Sequence, residues 1–368
     1  MILSDVEIKR YSRHIILSEI GMDGQLKLKA AKVLVIGAGG LGCPVLQYIT
    51  AAGVGTIGIC DFDFVEESNL QRQILFATSD IGRPKAIVAA EKLKNQNPYV
   101  SFIIHNKILT KENVLNIFEN YDIIVDGSDN FPTRFLINDA CVILKKPYVF
   151  GAIYKFDGQV AVFNYKGGPT YRCMIPEQPK STEALSCSAT GVIGVLPGII
   201  GSYQACEVIK MITGIGTVLS GKLLLIDTLR MENNLISINR SENFIDITEL
   251  GEYGEFCIEQ FSNIKQISPL ELFKQLENEN IYAIDIREPE FYNYYHIKSA
   301  HIPMSILLEN PDLVPDNQSV VIICEKGIKS RYAIEQLTRE KRRENIFNLE
   351  GGIQAWINEN LPIISNNP

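Results

Sequence analysis

The chain has 368 residues, 46% of them hydrophobic and 21% charged, which is the composition of a globular protein long enough for two domains and not of a disordered one. Its formal net charge of −8 argues against a concentrated basic face, so neither nucleic-acid binding nor attachment to an anionic membrane is expected.

The opening run MILSDVEIKRYSRHIIL scatters charge among its apolar residues and lacks the uninterrupted core of a secretion signal. Beyond it, β-rich runs at 32–36, 56–60, 101–105, 122–126 and 148–152 alternate with helical patterns such as 84–97 and 111–118. Such alternation predicts crossover units and a mainly parallel sheet. Runs 159–163 and 222–226 read as later strands flanking a long buried helix at 193–212. The apolar stretch 192–206 falls short of a membrane span of ~20 residues and contains Pro197 and Gln204. From 241 to 260 the texture changes to six acids with no base, which predicts a linker. A second α/β pattern follows: a capped helix from Ser268, strands at 282–286 and 320–324, and a helix at 329–340. The expected organisation is a first domain over 1–240, an acidic linker over 241–265 and a second domain over 266–365.

The first domain carries a nucleotide signature. Strand 32–36 runs into Gly37-x-Gly39-Gly40-x-Gly42 and then a helix, a pattern that lets phosphates approach backbone N–H groups. Nineteen residues after Gly42 comes Asp61, placed to accept from ribose hydroxyls. These features alone fit an NAD enzyme as well as an ATP enzyme. The segment that follows, DFDFVEESNLQRQ, puts Ser68, Asn69, Leu70, Gln71 and Arg72 directly after that acid, and IGRPKA adds Arg83 and Lys85. Cations near phosphates suit a reaction that expels pyrophosphate better than hydride transfer. The strand ending in Asp126-Gly-Ser-Asp129-Asn130 offers carboxylates for Mg²⁺, although Asp126 serves equally well as a turn cap. Arg83 reads as a surface residue.

Together RYSRHIIL, GAGGLGCP, DFDFVEESNLQRQ, GRPKA, DGSDN and GVIGVLPGIIGSYQACEVIK resemble the ubiquitin-activating-type adenylyltransferases of the MoeB/ThiF group, over about residues 5–240. The resemblance implies a homodimer that uses Mg-ATP to adenylate the C-terminal Gly-Gly of a ubiquitin-like sulfur-carrier protein. It further implies that Gly40 and Asp61 hold the adenosine side, and that Ser68 to Arg72 and Lys85 hold phosphates. Asp129 and Asn130 would position Mg²⁺ and the α-phosphate, and Arg13 would reach the partner subunit's site. From the residues alone, a surface ion pair for Arg13 is equally open.

The eight cysteines include no C-x-x-C pair, which points to reduced thiols and a cytoplasmic protein. Cys43, Cys60, Cys141 and Cys206 lie in apolar stretches and read as inert core. Cys187, in STEALSCSATGV, stands in a loop ahead of a helix, where a thiol can be partly ionised. The resemblance adds a covalent-intermediate role for it. Many members of that group hold a structural zinc with two C-x-x-C pairs. Here the first reads Thr170-Tyr-Arg-Cys173 and the segment after Arg240 has no cysteine, while Cys257 and four dispersed histidines complete no tetrahedron. No structural zinc is expected.

Near the end, Cys324-Glu-Lys-Gly-Ile-Lys-Ser330 follows an apolar strand. Backbone N–H groups in such a loop favour a sulfur anion, and Lys326 and Lys329 add positive potential. A buried core cysteine is the plain alternative. A C-x5-R phosphatase loop would need arginine at Ser330. The loop resembles instead that of rhodaneses, which carry sulfur as a cysteine persulfide. So do Asp285-Ile-Arg287-Glu-Pro, His296-Ile-Lys-Ser-Ala-His301-Ile-Pro and EGGIQAW, over about 268–361. Lys329 stands where arginine is commoner and Tyr295 where glycine usually stands; Asp285 and Arg287 read as a scaffold ion pair.

The expected fold is therefore α/β: a Rossmann-like, doubly wound, mainly parallel sheet with an antiparallel extension, then a smaller rhodanese-like α/β domain. The expected function is adenylation followed by transfer of persulfide sulfur from Cys324, loaded by a cysteine desulfurase or another donor, to give a thiocarboxylate. A non-catalytic docking role for the second domain and an NAD-dependent oxidoreductase are the alternatives.

Overall fold

Residues Lys32–Ile36 are buried from Val33 onward, and a strand buried on both faces must lie inside a sheet covered on both sides. The computed structural model, which describes residues 2–179, 191–244, 246–253, 264–278, 281–325, 327–340 and 345–365, shows that sheet. Its strands are β1 (Lys32–Ile36), β2 (Thr56–Cys60), β3 (Ser101–His105), β4 (Ile123–Asp126), β5 (Tyr148–Tyr154), β6 (Asp157–Phe163), β7 (Lys222–Asp227) and β8 (Glu232–Ser237). They lie in the order β3-β2-β1-β4-β5-β6-β7-β8. Pairings are parallel from β3 to β5 and antiparallel from β5 to β8.

The period-two alternation of β1 divides the core. Val33 and Val35 face helices Gly42–Ala52, Lys85–Gln96 and Leu196–Thr213, with Leu46, Ile49, Val88, Leu93 and Val208. Leu34 and Ile36 face helices Lys111–Phe118 and Phe131–Ile143, with Phe118, Phe135 and Ile137. Between β1 and β4 the connections diverge, opening a crevice at the carboxyl ends of the strands where nucleotides bind in folds of this kind.

Three sequence expectations change. The helix predicted from 193 begins at Leu196, with Pro197 in its first turn, where a missing N–H costs nothing. Strand β8 was not anticipated, because all of its residues are exposed and no apolar face marks it. Cys206 is exposed, not core, because it lies on the outer side of its helix. Cys43, Cys60 and Cys141 are buried, and burial pushes the Cys43 and Cys60 thiols up to about 12. No helix among the described residues is long and apolar enough to cross a membrane.

A first compact unit runs from Met1 to Tyr253 and a second from Gly254. The acidic stretch up to Tyr253 packs on the first unit: Tyr253 is buried, and its hydroxyl donates to Asp139 Oδ2 at 2.8 Å. Arg172 grips the same carboxylate with two 2.7 Å bonds.

In the second unit, β9 (Lys265–Ile267), β10 (Ile281–Asp285), β12 (Ala300–His301), β13 (Ser319–Ile323) and β14 (Ile346–Leu349) form a parallel sheet in the order β12-β10-β13-β14-β9. A small antiparallel pair joins β11 (Tyr295–His296) to β15 (Ile364–Ser365). Helix Pro269–Glu277 starts at Ser268, whose Oγ accepts from Glu271 N while donating to Glu271 Oε2 at 2.8 Å. Helices Ile328–Glu340 and Gly352–Asn358 follow β13 and β14, and Ile334 and Ile353 sit in the two halves of the core.

Candidate active sites

The loops after β1, β2 and β4 meet at one edge of the first sheet. Gly37 has φ +87°, a conformation that glycine adopts without strain, and a β-carbon on Gly42 would lie 1.9 Å from Gly37 O. Only glycine at both positions lets the helix start close over the strand end. Beside them, Asp61 at the end of β2 accepts from Ala38 N at 2.7 Å and from Asp63 N at 2.8 Å. Burial pushes its carboxyl pKa up, while nearby Lys85 and those two N–H groups oppose the rise.

Segment 68–73 lies against the glycine loop. A β-carbon on Gly40 would meet Pro197 at 3.1 Å and Arg72 Cγ at 3.7 Å, and one on Gly39 would meet Gln73 Nε2 at 3.6 Å. Arg72 donates to Ser68 O at 2.9 Å, and the buried Asn69 accepts from Glu66 N. Ser68 and Gln71 are exposed, and Leu70 packs partly into the core. Lys85 is buried, with Nζ 3.1 Å from Asp63 Oδ2.

Asp126 ends β4 with its side chain fully buried. Oδ1 accepts from Ser128 N at 2.9 Å and Ser128 Oγ at 2.6 Å, so it does cap the turn, but Oδ2 has no partner among the described residues. Burial raises its pKa, and the Arg134 guanidinium works against that rise. Sequence reasoning passed over Arg134. It donates to Ser128 O at 3.3 Å and lies 5.5 Å from the Phe150 ring centre and 5.6 Å from that of Phe131. An arginine four residues after a helix cap reads as surface, and only the tertiary fold turns it inward. Asn130 caps helix Phe131–Ile143, accepting from Thr133 N at 2.9 Å, and donates to Asp129 Oδ1 at 3.4 Å; Asp129 is exposed. Arg13, on helix Ser12–Ile15, is exposed and has no ion pair among the described residues. Cys187 and Cys257 lie outside the described residues.

At the place where the resemblance would put zinc, Cys173 Sγ accepts from Ser241 N at 3.3 Å and Thr170 N at 3.4 Å, and Thr170 Oγ1 donates to Phe244 O at 3.1 Å. One thiol, a hydroxyl and backbone groups do not fit a tetrahedral thiolate site. Hydrogen bonds tie the two segments together there, and no cluster of three or more His, Cys, Asp or Glu able to hold a metal occurs among the described residues.

In the second unit Cys324 follows β13 and is buried. A β-carbon on Gly352, at φ +64°, would lie 2.4 Å from Cys324 O, so the loop and the start of helix Gly352–Asn358 touch backbone to backbone. Ile353 N donates to Cys324 O at 2.9 Å. Cys324 Sγ accepts from Ser330 N at 3.3 Å and lies 3.1 Å from Ser330 Oγ. Arg287 does more than pair with Asp285. Its Nε and Nη2 hold Asp285 at 3.0 and 2.8 Å, Nη1 reaches Glu325 Oε2 at 3.3 Å, and the guanidinium sits 5.0 Å from the Tyr295 ring centre. Tyr295 donates its hydroxyl to Glu325 Oε1 at 2.9 Å. The unusual Tyr295 is thus matched to the acid beside the cysteine. Lys329 is exposed at the start of the following helix.

The ThiF family matches residues 11–244 and the rhodanese-like domain residues 268–359. The probable adenylyltransferase/sulfurtransferase MoeZ of Mycobacterium tuberculosis is 41% identical, over 98% of this chain and 95% of its own length. The adenylyltransferase and sulfurtransferase MOCS3 of Culex quinquefasciatus is 38% identical over 98% of this chain and 90% of its own. The sulfur carrier protein adenylyltransferase of Thermus thermophilus is 51% identical over 68% of this chain and 97% of its own. Among solved structures, E. coli MccB with ATP superposes with a TM-score of 0.59 at 25% identity, over 67% of this chain and 75% of that one.

Proposed function

The chain belongs to the ThiF family and carries a rhodanese-like domain in the same polypeptide, and from that premise we propose that it adenylates the C-terminal glycine of a ubiquitin-like sulfur-carrier protein and then transfers sulfur to it. The observation that carries this reading is the union in one chain of a glycine-loop crevice at the switch point of a doubly wound sheet with a strand-end cysteine loop of rhodanese type.

In the first step a carboxylate oxygen of the carrier attacks the α-phosphorus of ATP. The bond to the bridging oxygen breaks, and pyrophosphate leaves. Gly37, Gly39, Gly40 and Gly42 present backbone to the nucleotide, and Asp61 accepts from the ribose. Ser68, Asn69, Leu70, Gln71, Arg72 and Lys85 line the phosphates, with Arg72 and Lys85 offsetting the charge that grows on the leaving group. Asp129, with Asn130 beside it, is the group for Mg²⁺, and the unpartnered Oδ2 of Asp126 makes the same loop a fitting donor set. Bound Mg²⁺ would neutralise phosphate charge. Arg13 serves the partner subunit's site in a homodimer, a state supported by the exposed apolar groove of Tyr48, Ile74, Val195, Ile199 and Tyr203.

In the second step the terminal sulfur of a Cys324 persulfide, loaded by a cysteine desulfurase or similar donor, attacks the acyl carbon and AMP departs. The Cys187 thiolate then attacks Cys324 Sγ, releasing the carrier thiocarboxylate and leaving a Cys187–Cys324 disulfide, which an external dithiol reduces. Activation as the adenylate replaces a poor leaving group by AMP. The cytoplasm is the compartment that suits these thiols.

The test is ATP–pyrophosphate exchange with a small carrier ending in Gly-Gly. Cys324→Ala is expected to keep exchange and lose thiocarboxylate formation. Loss of both activities, or tight NAD binding without an ATP effect, would count against this reading.

A further inference from the structure

Backbone bonds zip the segment after β2 to the start of helix Lys85–Gln96. Val65 N donates to Arg83 O and Gly82 N to Val65 O, both at 2.9 Å, and Phe64 bridges Pro84. Lys85 N donates to Asp63 O at 2.8 Å, and Asp63 N donates to Asp61 Oδ1 at 2.8 Å. This ladder sets the Asp63 carboxylate against the Lys85 side chain, with Oδ2 3.1 Å from Nζ. The partners differ in exposure: 7% of the Lys85 side chain is accessible, against 53% of that of Asp63. A lysine ammonium has three N–H donors, and Asp63 is the one acceptor bonded to it among the described residues. Two donors of a buried cation are left for a ligand. The neighbouring charges are engaged elsewhere: Asp61 accepts from Ala38 N and Asp63 N, and Arg83 pairs with Asp80 and Glu91.

We infer that Asp63 is a positioning residue that competes with phosphate for the Lys85 ammonium, and so loosens the hold on pyrophosphate once its bond to the α-phosphorus has broken; this rests on the reading of the first unit as an adenylating site. A buried ammonium with no other partner would grip pyrophosphate hardest after the chemistry, when the leaving group carries its full charge. Such a grip, exerted alike before and after the reaction, does not speed the step and delays release. A carboxylate on the same nitrogen weakens it in two ways. It occupies one of the three donors, and it places a negative charge within about 6 Å of any phosphate oxygen bonded to the other two. More than half of the Asp63 side chain is in water, so parting from Lys85 costs little, and the ammonium can turn to the phosphates and back.

A purely structural ion pair predicts the opposite sign. If Asp63 served only to hold the segment after β2 against the helix, removing its charge would slacken the crevice and weaken anion binding. Competition predicts that the same change tightens it.

The test uses the full chain and sodium pyrophosphate, titrated directly and also varied as the substrate of ATP–pyrophosphate exchange. Asp63→Asn keeps the shape and backbone bonds of the residue and removes its charge. The dissociation constant and the KM for pyrophosphate are expected to fall on the order of tenfold at low ionic strength, and by less as salt screens the exposed carboxylate. In a Lys85→Met background, which lacks the shared nitrogen but keeps the buried volume, Asp63→Asn should tighten pyrophosphate at most about twofold. Unchanged or weaker binding in Asp63→Asn, which stands at an exposed side chain and does not depend on the second variant, overturns the inference. So does equal tightening in both backgrounds, which would mean charge acting at a distance and not competition for Lys85. If the natural chain neither binds pyrophosphate nor exchanges it into ATP, the functional reading of the first unit falls; normal exchange with an unmoved KM in Asp63→Asn removes this inference alone.

Discussion

The two candidate sites are built in opposite ways. At the nucleotide end, beside backbone amides and glycines, several side chains are bonded to neighbours close in sequence, Asp126 to Ser128, Asn130 to Thr133 and Arg72 to Ser68, while Asp61 reaches back to Ala38. At the sulfur end, the cysteine depends on Ser330, then on Asn348, then on Gln266, which is 82 positions from Asn348 in the chain. A nucleotide offers many polar atoms, so several short loops, each held largely by its own local bonds, can share its recognition. A single sulfur offers almost none, so its environment has to be assembled from distant strands.

Several measurements would break or sharpen that contrast. The largest expected effect is at the nucleotide end: Asp129→Asn should lower ATP–pyrophosphate exchange by on the order of a hundredfold while persulfide loading of Cys324 is untouched. A matching loss of loading would mean that the two sites are not separable. Next comes Arg172→Ala, which leaves the buried Asp139 with the Tyr253 hydroxyl and the Asn138 amide but no cation. Urea unfolding of the first unit should show a loss of about 3 kcal/mol. Unchanged stability would show that the packing of the acidic stretch on this unit does not depend on the ion pair. Tyr295→Phe removes the hydroxyl from Glu325 and should cost the second unit about 1 kcal/mol, read from its own unfolding transition.

The smallest effect is a pH slope. Burial pushes the Glu7 carboxyl pKa up, but Lys29 at 2.7 Å and the Ser4 backbone and side-chain bonds hold it, on balance, below the usual carboxylate value. A folded pKa below the unfolded one gives stability that is present above the unfolded pKa and is lost as pH falls through the folded pKa. Glu7→Gln should therefore flatten the acid side of the stability curve and leave its slope near neutrality unchanged. A curve of unaltered shape would sink the assignment. Metal analysis of protein purified without chelator should give well under one zinc per chain.

Much of the fold was legible because it rests on short-range pattern. The two-residue alternation of KVLVI, the glycines after it and the acid after β2 are enough to imply a parallel sheet with a phosphate loop. What stayed hidden had no local signal. Strand β8 has no buried face, Cys206 sits in an apolar run yet faces outward, and Arg134 reads as an ordinary helix cation. Tyr295 looked like a departure from pattern until Glu325 came into contact with it.

The sequence by itself determined that a glycine loop follows one core strand and a cysteine follows another, because backbone hydrogen bonding and side-chain period are properties of consecutive residues. Only the tertiary structure decided what stands behind Cys324: Ser330 against the sulfur, Asn348 against Ser330 and Gln266 against Asn348. That depends on β9 lying beside β14, which brings Gln266 next to Asn348, and no run of neighbouring residues encodes the order of strands in a sheet.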